Sequence, residues 1–507
     1  MSEESSPILK APPQIDRDMA RFLKPSLGLL LTLYVMALLP RTIADPDLWG
    51  YLAFGRLFWE GAGFPYKDVF AYAPTKDMWV YHEWLTGVLF YPLYEHVGMW
   101  SLQLVRYLLG LATAGTIYVT ARTRGASSQA SAIALFFASF MFILGFNPVR
   151  AQVFTYFFFA LYLLGLSRAS REQSFWGLWW LVPLMMVWAN LHGGFVAGMG
   201  LIGVYALGEA LCRRRFAPYL IVLALCGAAT LINPYGLEYW RYIIHAVGMP
   251  RPEISEWHSV WRAFQTGSPV DNYLIFLVLV FISGLFLIWR PRKNLTELAV
   301  MTVMAYLGLK HIRHQIFFFL VFGAFLPTSF DSLGSRLSGL KEKIAARRHL
   351  YVGLTLAVSL VLSVFLGYKT ISATPWELEA KPRQRVAPIS FYYPTGALAY
   401  IQTQGLKGRI LTLFAWGEYF LFHCYPQCLV GMDGRYETVY PDDYCLEYFK
   451  FQKARPGWRQ FLKKYPPDMI VLEPAGKITK LLEKESGWHK VYEDDSCFLF
   501  LRQGFGK

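Results

Sequence analysis

Over most of its length the chain alternates between long apolar runs and short polar loops. Apolar runs of roughly 17–25 residues with few charges are long enough to cross a bilayer as helices. The pattern therefore predicts a polytopic α-helical membrane protein with about eleven transmembrane helices. The predicted spans are 26–44, 100–121, 128–146, 152–168, 175–191, 193–211, 217–233, 271–290, 295–310, 314–330 and 351–369.

One further apolar stretch, 82–98, is shorter and carries ionisable residues at both ends. If it does not span and the N-terminus is cytoplasmic, every strongly basic loop falls on the cytoplasmic side, as the positive-inside rule requires. If it does span, all of these loops move outside. The loops are "RTRGASSQ", "SRASREQ", "CRRRFAP", "RPRKN" and "SRLSGLKEKIAARRH". We therefore expect 82–98 to lie at the membrane interface.

After residue 371 the apolar runs shorten, and proline and charged residues become more frequent. Short buried strands are predicted at 409–414, 428–434, 468–473 and 497–503, with helices at "WRQFLKKY" and "KITKLLEKES" between them. The expected organisation has three parts. They are a cytoplasmic segment 1–25, a transmembrane domain 26–370 whose first outer loop is 45–99, and an outer α/β domain 371–507.

Composition supports the membrane assignment and argues against a nucleic-acid-binding protein. Of the 507 residues, 55% are hydrophobic and 17% are charged, where soluble domains average roughly 25% charged residues. The net charge of +14 comes largely from short loops between apolar runs. Cytoplasmic loops of membrane proteins have this pattern, so we expect no nucleic-acid partner.

The loops predicted to face outward contain ionisable residues that hinder membrane insertion. They are Arg150, His192, Lys310, His311, Arg313 and His314. Ionisable residues at membrane depth cost free energy and usually mark functional sites. Arg150 and Arg313 could instead extend to the lipid headgroups, although the outer face disfavours positive charge. His192 could equally be a packing histidine beside the Gly-Gly pair in "NLHGG".

The first outer loop begins with Asp45-Pro46-Asp47. Asp45 suits a helix N-cap, Pro46 suits the first helical position, and Asp47 suits the positive end of the helix dipole. The helix that follows is apolar or aromatic on most faces, and a second interfacial helix is predicted to begin at His82-Glu83-Trp84. One loop would thus carry two juxtamembrane helices, each with an acidic residue at its start.

This arrangement resembles the GT-C superfamily of integral-membrane glycosyltransferases. That superfamily includes protein O-mannosyltransferases, aminoarabinose transferases of lipid A and oligosaccharyltransferases. Asp45-Pro46-Asp47 resembles the family's modified DxD signature, and His82-Glu83 occupies the place of its second acidic position. The combination of "DPDLW", "HEW", "NLHGG" and "DGRYE" is also similar to that of uncharacterised bacterial GT-C-like proteins. The resemblance implies an enzyme of the bacterial inner membrane with an extracytoplasmic site.

The resemblance also implies inverting transfer of a sugar from a polyprenyl-phosphate donor to a glycolipid, polysaccharide or protein acceptor. Asp45 would be the general base and Asp47 a helper or metal ligand, with Glu83 and His82 as the alternative pair. Positive side chains would stabilise the departing phosphate. The residues implied to bind it are Arg150, Lys310, Arg313, His192 and His314.

Whether a metal takes part stays open at this stage. Asp45 and Asp47, with Glu83 and His82, could hold Mg²⁺ or Mn²⁺ through oxygen ligands and one imidazole. The cationic residues on the same face could replace the metal. The sequence contains no Walker A or G-x-G-x-x-G motif, so a nucleotide-sugar donor is not expected.

The outer tail adds two expectations. Its cysteines, Cys424, Cys428, Cys445 and Cys497, favour one or two disulfides over a zinc site. In "GMDGRYETVYPDD", Asp433, Arg435 and Glu437 are either turn residues or contacts to an acceptor glycan.

Two other classes of function, a lipid flippase and a non-catalytic subunit, are alternatives to the enzyme. A basic cavity among helices would also suit a flippase of amphipathic lipids. Transporters usually show repeats with broken spans in matching positions, which are not evident here, and a flippase has no need of a long acidic first loop. A non-catalytic subunit of a surface-glycan assembly machine remains compatible with the sequence.

Overall fold

The computed structural model describes residues 14–61, 63–266, 271–289, 294–336, 348–373, 376–383 and 391–505. Helices occur at every apolar run that was predicted to span, and at both predicted juxtamembrane positions. Those before residue 373 are α1 (Gln14–Ala37), α2 (Pro46–Glu60), α3 (Trp84–His96), α4 (Met99–Thr123), α5 (Ser128–Phe140), α6 (Phe142–Phe146), α7 (Gln152–Glu172), α8 (Leu181–Leu191), α9 (Phe195–Leu211), α10 (Ala217–Ala229), α11 (Leu237–Gly248), α12 (Val260–Gln265), α13 (Asp271–Trp289), α14 (Leu295–Lys310), α15 (Gln315–Phe325), α16 (Pro327–Arg336) and α17 (Arg348–Ser372).

Only some of these helices have the length of a full membrane span. Among the described residues, Met99–Thr123, Gln152–Glu172 and Leu350–Ser372 are long and apolar enough. The pair Ile312–Phe325 and Pro327–Leu333, bent by 46°, adds a fourth if it forms one broken span. Other apolar helices have only 10–17 residues. The run 128–146, for example, is divided between α5 and α6. The helices are therefore confirmed, while the number of about eleven crossings stays a prediction.

The stretch 82–98 forms a short helix that pairs with the first helix of the outer loop. α3 has 13 residues and a length of about 20 Å, which is less than the hydrocarbon thickness of a bilayer. It packs closely on α2, where a Cβ on Gly55 would lie 2.3 Å from the carbonyl oxygen of Gly87. The first outer loop thus contains the two helices that the sequence predicted.

The tail is a small α/β unit with a five-stranded mixed sheet in the order β2-β1-β3-β5-β4. β1 pairs in parallel with β2 and β3, and β5 pairs antiparallel with β3 and β4. The strands are β1 (Gly408–Thr412), β2 (Cys428–Val430), β3 (Met469–Leu472), β4 (Trp488–Glu493) and β5 (Phe498–Arg502). The helices are α18 (Thr395–Thr403), α19 (Gly417–Cys424), α20 (Asp442–Gln452), α21 (Trp458–Lys464) and α22 (Lys477–Leu482). The four predicted strands are confirmed, and β4 was missed.

The tail and the first outer loop share one hydrophobic core. Trp49 of α2 packs against Tyr393 and Tyr419 of the tail, with ring centroids 6.1 and 5.4 Å away. An isolated β-bridge joins Ala71 of the loop to Val430 of β2 and so extends the edge of the sheet. A second isolated bridge joins Ile43 to Glu379. The two segments therefore fold as one unit, although they lie at opposite ends of the chain.

A buried ion pair fastens the same two segments. The Arg435 side chain contacts Asp68 of the first loop and Asp433 of the tail, and all three side chains are at most 1% exposed. The Asp433 carboxylate also accepts a hydrogen bond from the Tyr440 hydroxyl at 2.6 Å. Asp433 and Arg435 are thus buried structural residues of the turn, and this burial leaves them unavailable to an acceptor.

The expected disulfides are absent from this structure, so that prediction is wrong. All six cysteines of the chain are free thiols, and the four in the tail are buried. Cys424 and Cys428 share a hydrogen bond, while Cys445 lies in α20 and Cys497 precedes β5. The reason is packing: the tail already has an extensive apolar core, in which the thiols behave as small hydrophobic groups.

Candidate active site

Asp45 is both a helix cap and one member of an ion-pair network. Its Oδ1 accepts a hydrogen bond from the backbone N–H of Asp47 at 3.2 Å, at the start of α2. The same oxygen accepts from Arg150 Nε at 2.5 Å, and Oδ2 lies 3.5 Å from Arg41 Nη2. The Asp45 side chain is completely buried. Asp45 therefore caps α2, as the sequence predicted, and its side chain also takes part in an ion-pair network.

Arg150 lies just before α7 and forms ion pairs with three carboxylates. Besides Asp45, its Nε lies 3.5 Å from Asp47 Oδ2, and its Nη1 donates to Glu256 Oε1 at 2.8 Å. Burial raises the pKa of Glu256, but Arg150 and Arg313 outweigh this effect and bring it to about 2. Glu256 belongs to a short 3-10 helix, Ser255–Trp257. The sequence analysis missed it, because a single acid in the segment between α11 and α12 carries no motif.

Asp47 shares its surroundings with a glutamate from the tail. A Cβ on Gly434 would lie 2.8 Å from Glu418 Oε1 and 3.4 Å from Asp47 Oδ1, so both carboxylates flank this glycine. Glu418 Oε2 accepts a hydrogen bond from the backbone N–H of Gly50 at 3.0 Å. A Cβ on Gly50 would come within 2.5 Å of that oxygen, so Gly50 and Gly434 make the room that Glu418 occupies.

These surroundings set the protonation of the two acids. Burial, opposed by the positive charge of Arg150, raises the pKa of Asp47 to about 6. Burial and the negative charges of Asp47 and Asp433 hold the pKa of Glu418 well above its usual value. Asp47 is 33% exposed, whereas Glu418 is buried. The only sequence signal for Glu418 is that it stands alone in the otherwise apolar run "AWGEYFLF".

Glu83 is held on the other side of α2 by a tyrosine and a histidine. The Tyr51 hydroxyl donates to Glu83 Oε1 at 3.3 Å, and His192 Nε2 lies 3.4 Å from the same oxygen. His192 Nδ1 accepts from the backbone N–H of Gly194 at 2.9 Å, which leaves the imidazole proton on Nε2, towards Glu83. Burial raises the pKa of Glu83 to about 8. His192 thus contacts an acid, where the resemblance implied a phosphate.

His82 and Arg313 complete the cluster. His82 Nδ1 lies 3.0 Å from the Tyr242 hydroxyl, and burial lowers the pKa of its imidazole to about 4. The Arg313 guanidinium lies 4.7 Å from the centroid of the Trp257 ring. Its positive charge acts on Asp47, Glu83 and Glu256.

The remaining predicted phosphate ligands lie at the edge of the cluster. Lys310 is exposed at the end of α14 and, within the described part of the chain, makes no ion pair. His314 packs against the rings of Trp257 and His311, with centroids 5.8 and 5.3 Å away. The structure therefore brings together Asp45, Asp47, Glu83, His82, Arg150, His192 and Arg313 from the predicted set.

The donor chemistry does not fit a metal held by Asp45 and Asp47. Both oxygens of Asp45 face guanidinium groups, and the positive charge of Arg150 and Arg41 stands where a divalent cation would be needed. Among the described residues, no three or more His, Cys, Asp or Glu side chains are grouped so that they could hold an ion. We therefore derive no step through a metal.

Comparison with known proteins was made by sequence and by structure. No protein-family model matches the chain, and the search of curated proteins gave no match. The oligosaccharyltransferase AglB from Archaeoglobus fulgidus, solved with an inhibitory peptide and a dolichol-phosphate, matches with a TM-score of 0.54 at 12% identity. The match covers 96% of this chain and 74% of AglB. The mycobacterial arabinofuranosyltransferase AftD matches with a TM-score of 0.48 at 12% identity, over 96% of this chain and 40% of AftD.

The chain therefore has a fold similar to that of the oligosaccharyltransferase AglB. The resemblance based on the first outer loop is thereby confirmed at the level of the fold.

Proposed function

We propose that this protein is an inverting glycosyltransferase that moves a sugar from a polyprenyl-phosphate carrier to a glycolipid, polysaccharide or protein at the outer membrane face. The observation that carries the proposal is the contact of Asp47, a partly exposed carboxylate, with Arg150 beside the charge of Arg313. A displacement at an anomeric carbon needs a base on one side and positive charge on the leaving phosphate. The dolichol-phosphate in the AglB structure is a lipid carrier of this chemical class.

In the proposed step Asp47 is the base. It takes the proton of the acceptor O–H or N–H group while the acceptor atom bonds to the anomeric carbon. The bond from that carbon to the phosphate oxygen breaks, and the phosphate leaves with the electron pair. Asp47 suits this role because its side chain is 33% exposed and its pKa is about 6, so that it is ionised near pH 7 yet basic enough to accept a proton.

Asp45 has a positioning role in this mechanism, in place of the base role that the resemblance implied. Its side chain is completely buried, caps α2 and holds Arg150 Nε at 2.5 Å. A carboxylate in this position cannot reach an acceptor without breaking its ion pair. It fixes the guanidinium next to Asp47, and thereby fixes the geometry between base and leaving group.

Arg150 and Arg313 would bind the phosphate, as guanidinium groups match phosphate oxygens in pairs. Arg150 uses Nε and Nη1 for carboxylates, and its Nη2 has no hydrogen bond to any part of the chain that the structure describes. When Asp47 accepts the proton, one negative charge next to Arg150 is lost. The cluster then becomes more positive at the moment when the phosphate departs, which stabilises the leaving group.

Glu83, His82 and His192 form the second predicted group, and we assign them to the support of the site. Glu83, with its pKa of about 8, is mostly protonated at neutral pH and adds no charge that would repel a phosphate. His192 and Tyr51 hold it in place. Lys310 and His314 remain proposed contacts for the outer part of the lipid phosphate.

The experiment is a transfer assay with the purified full-length chain in lipid nanodiscs. Polyprenyl-phosphate-linked mannose, glucose and arabinose, each radiolabelled in the sugar, are offered with an extract of the host's glycolipids, polysaccharides and membrane proteins. We expect one donor to label an acceptor, and Asp47→Asn to reduce the rate by about 10²–10⁴-fold. The control is Asp443→Asn, which changes an exposed acid of α20.

Two results would contradict the proposal. Equal rates for Asp47→Asn and the unchanged chain would remove Asp47 as the base. Movement of labelled donor across the bilayer of sealed proteoliposomes that contain the chain, without any labelled acceptor, would identify a flippase.

A further inference from the structure

In the sheet of the tail, the connections that follow β1 lead to opposite sides of that strand. β1 lies between β2 and β3, and all three run in parallel. The chain passes from β1 to β2 on one side and then reaches β3 on the other side. In open α/β sheets, ligands bind outside the carboxyl ends of the strands at such a switch point. The expected position here is the space beyond the ends of β1 and β3.

A cavity of about 520 Å³ lies at this position. Leu413, directly after β1, and Glu473 and Gly476, after β3, line it. The end of α20 and the first turn of α22 form the other walls, and Glu253, between α11 and α12, closes one side. Cavities of roughly 300–1,000 Å³ accommodate small organic ligands, so that one or two sugar residues would fit.

Three cations and two acids, Glu253 and Glu473, line the cavity, so that its charged groups favour an anionic ligand by one net positive charge. Lys453, Arg455 and Lys477 are all exposed and line the cavity. Lys453 forms an ion pair with Glu253, whereas Arg455 and Lys477 make no ion pair with the described residues. The Phe449 ring and the Gln452 amide supply an apolar face and hydrogen-bonding groups, which suit a sugar ring and its hydroxyl groups.

We propose that this cleft, defined by Leu413, Phe449, Arg455, Glu473 and Lys477, binds an anionic saccharide that carries carboxylate groups. Arg455 and Lys477, which make no ion pair with the described residues, would bind the carboxylates, and the Phe449 ring and Gln452 amide would contact the sugar ring.

The cleft is joined to the catalytic cluster by one short segment. Glu253 lines the cleft, and Glu256, three residues later, pairs with Arg150. Arg251 of the same segment binds Glu437 of the tail at 2.6 Å and lies 4.6 Å from the centroid of the Trp257 ring. We therefore assign the cleft to the acceptor, so that the site would receive an acidic glycan. This assignment of role rests on the proposed function, whereas the binding itself does not.

Binding is measured with the full-length chain in nanodiscs by isothermal titration. The probe is tri-galacturonate, and the neutral comparison is maltotriose. We expect tri-galacturonate to bind and maltotriose to bind about tenfold more weakly or not at all, because each charge-assisted contact contributes about that factor. The double variant Arg455→Ala/Lys477→Ala should weaken tri-galacturonate binding by about tenfold or more. The matched control is Lys480→Ala, which removes an exposed cation of α22 outside the cleft.

Three results would overturn the inference. They are equal binding of both trisaccharides, unchanged binding in the double variant, and a loss of the same size in Lys480→Ala. Competition by inorganic phosphate at the same concentration as tri-galacturonate would likewise show a simple anion site and reject a saccharide site. The titration contains no sugar donor, so it measures binding independently of transfer. A chain that transfers sugar but does not bind tri-galacturonate would reject the proposed cleft and leave the proposed function standing. Binding without transfer would reject the proposed function alone.

Discussion

Asp45 and Asp47 are two positions apart and lie in opposite surroundings. Asp45 is buried between Arg150 and Arg41 and caps α2. Asp47 is partly exposed and stands beside Glu418, which flanks the same glycine. One residue is thus held by charge and the other is open to a ligand, so the two carboxylates of the motif should respond differently to the same substitution.

The protonation of Asp47 sets the expected pH dependence of transfer. The base must be ionised, and burial raises the pKa of Asp47 to about 6. Below that value kcat/KM should therefore rise by about tenfold per pH unit, and it should level off above it. The measurement is a profile of kcat/KM between pH 4.5 and 7.5, with thermal unfolding recorded at each pH as the control. A profile that is flat or falls across this interval would contradict the assignment.

Substitution of Asp45 should affect stability more directly. Asn retains the ability to cap α2, but Asp45→Asn leaves the half-buried Arg150 short of its fully buried charge partner. Loss of one partner of a buried pair costs about 3 kcal/mol of the free energy of unfolding. Asp47→Asn should leave that free energy unchanged or raise it, since burial already favours the neutral form. Both are measured by denaturant unfolding in detergent; an inactive Asp45→Asn protein of unchanged stability would instead make Asp45 the base.

Sequence reasoning named several residues that the structure places together, but it missed others. Arg150 contacts Asp45 and Asp47, and the positive charge of Arg313 acts on Asp47. Glu256 and Glu418 were missed because each stands alone in its segment. Their partners, Arg150 and the backbone N–H of Gly50, lie 106 and 368 positions away. No local pattern encodes such contacts.

The helices α2 and α3 pack with their backbones in contact. A Cβ on Gly87 would lie 2.7 Å from the carbonyl oxygen of Tyr51, and a Cβ on Gly55 would lie 2.3 Å from that of Gly87. Tyr51 of α2 binds Glu83, which directly precedes α3. The two glycines thus determine how closely the helix pair can hold this acid.

Gly55→Ala should separate α2 and α3 without touching an acid. The added methyl group meets backbone atoms, which cannot turn away, so we expect a loss of about 1–3 kcal/mol in the free energy of unfolding and reduced transfer. The control is Gly203→Ala in α9, where no atom lies within 4 Å of the new Cβ; it should be neutral or stabilising by about 0.5–1 kcal/mol. Unfolding in urea provides the measurement. Equal stability of the two variants would mean that the close approach is not required.

Elements were predicted best where their pattern is local. The position of α3 followed from its short apolar stretch and its ionisable ends, and the four buried strands followed from their apolar residues. β4 was missed because its residues are half-buried or exposed and include His489 and Lys490. The disulfides were predicted from the expected compartment alone, which says nothing about whether two thiols meet.

At the scale of the whole molecule, the orientation in the membrane is testable. α1 and α17, the first and the last helix before the tail, pack against each other. The charge pattern predicts the loop between α4 and α5 inside and the tail outside. A membrane-impermeant maleimide should therefore label Gln404→Cys in intact cells, and should label Gln129→Cys only after the membrane is opened. Cys212→Ser serves as the background for both variants, since the other cysteines are buried. Labelling of Gln129→Cys in intact cells would reverse the orientation.

The joint core of the first loop and the tail could not be predicted from the sequence. The apolar pattern shows that Trp49, Tyr393 and Tyr419 belong to buried surfaces, but it does not show that they bury one another. The domain boundary at 371 was drawn from composition, and composition does not reveal which segments share a core.

This shared core has a consequence for how the protein is made. Gly50 is synthesised 368 residues before Glu418, an interval of roughly 20–70 s at about 5–20 residues per second. During this interval the first loop has already left the ribosome, while the carboxylate that completes its site does not yet exist. The nascent chain must keep the apolar faces of α2 and α3 covered until the tail arrives. The proposed activity should therefore be acquired only once Glu418 has been synthesised, and a premature stop before Glu418 should yield an inactive chain.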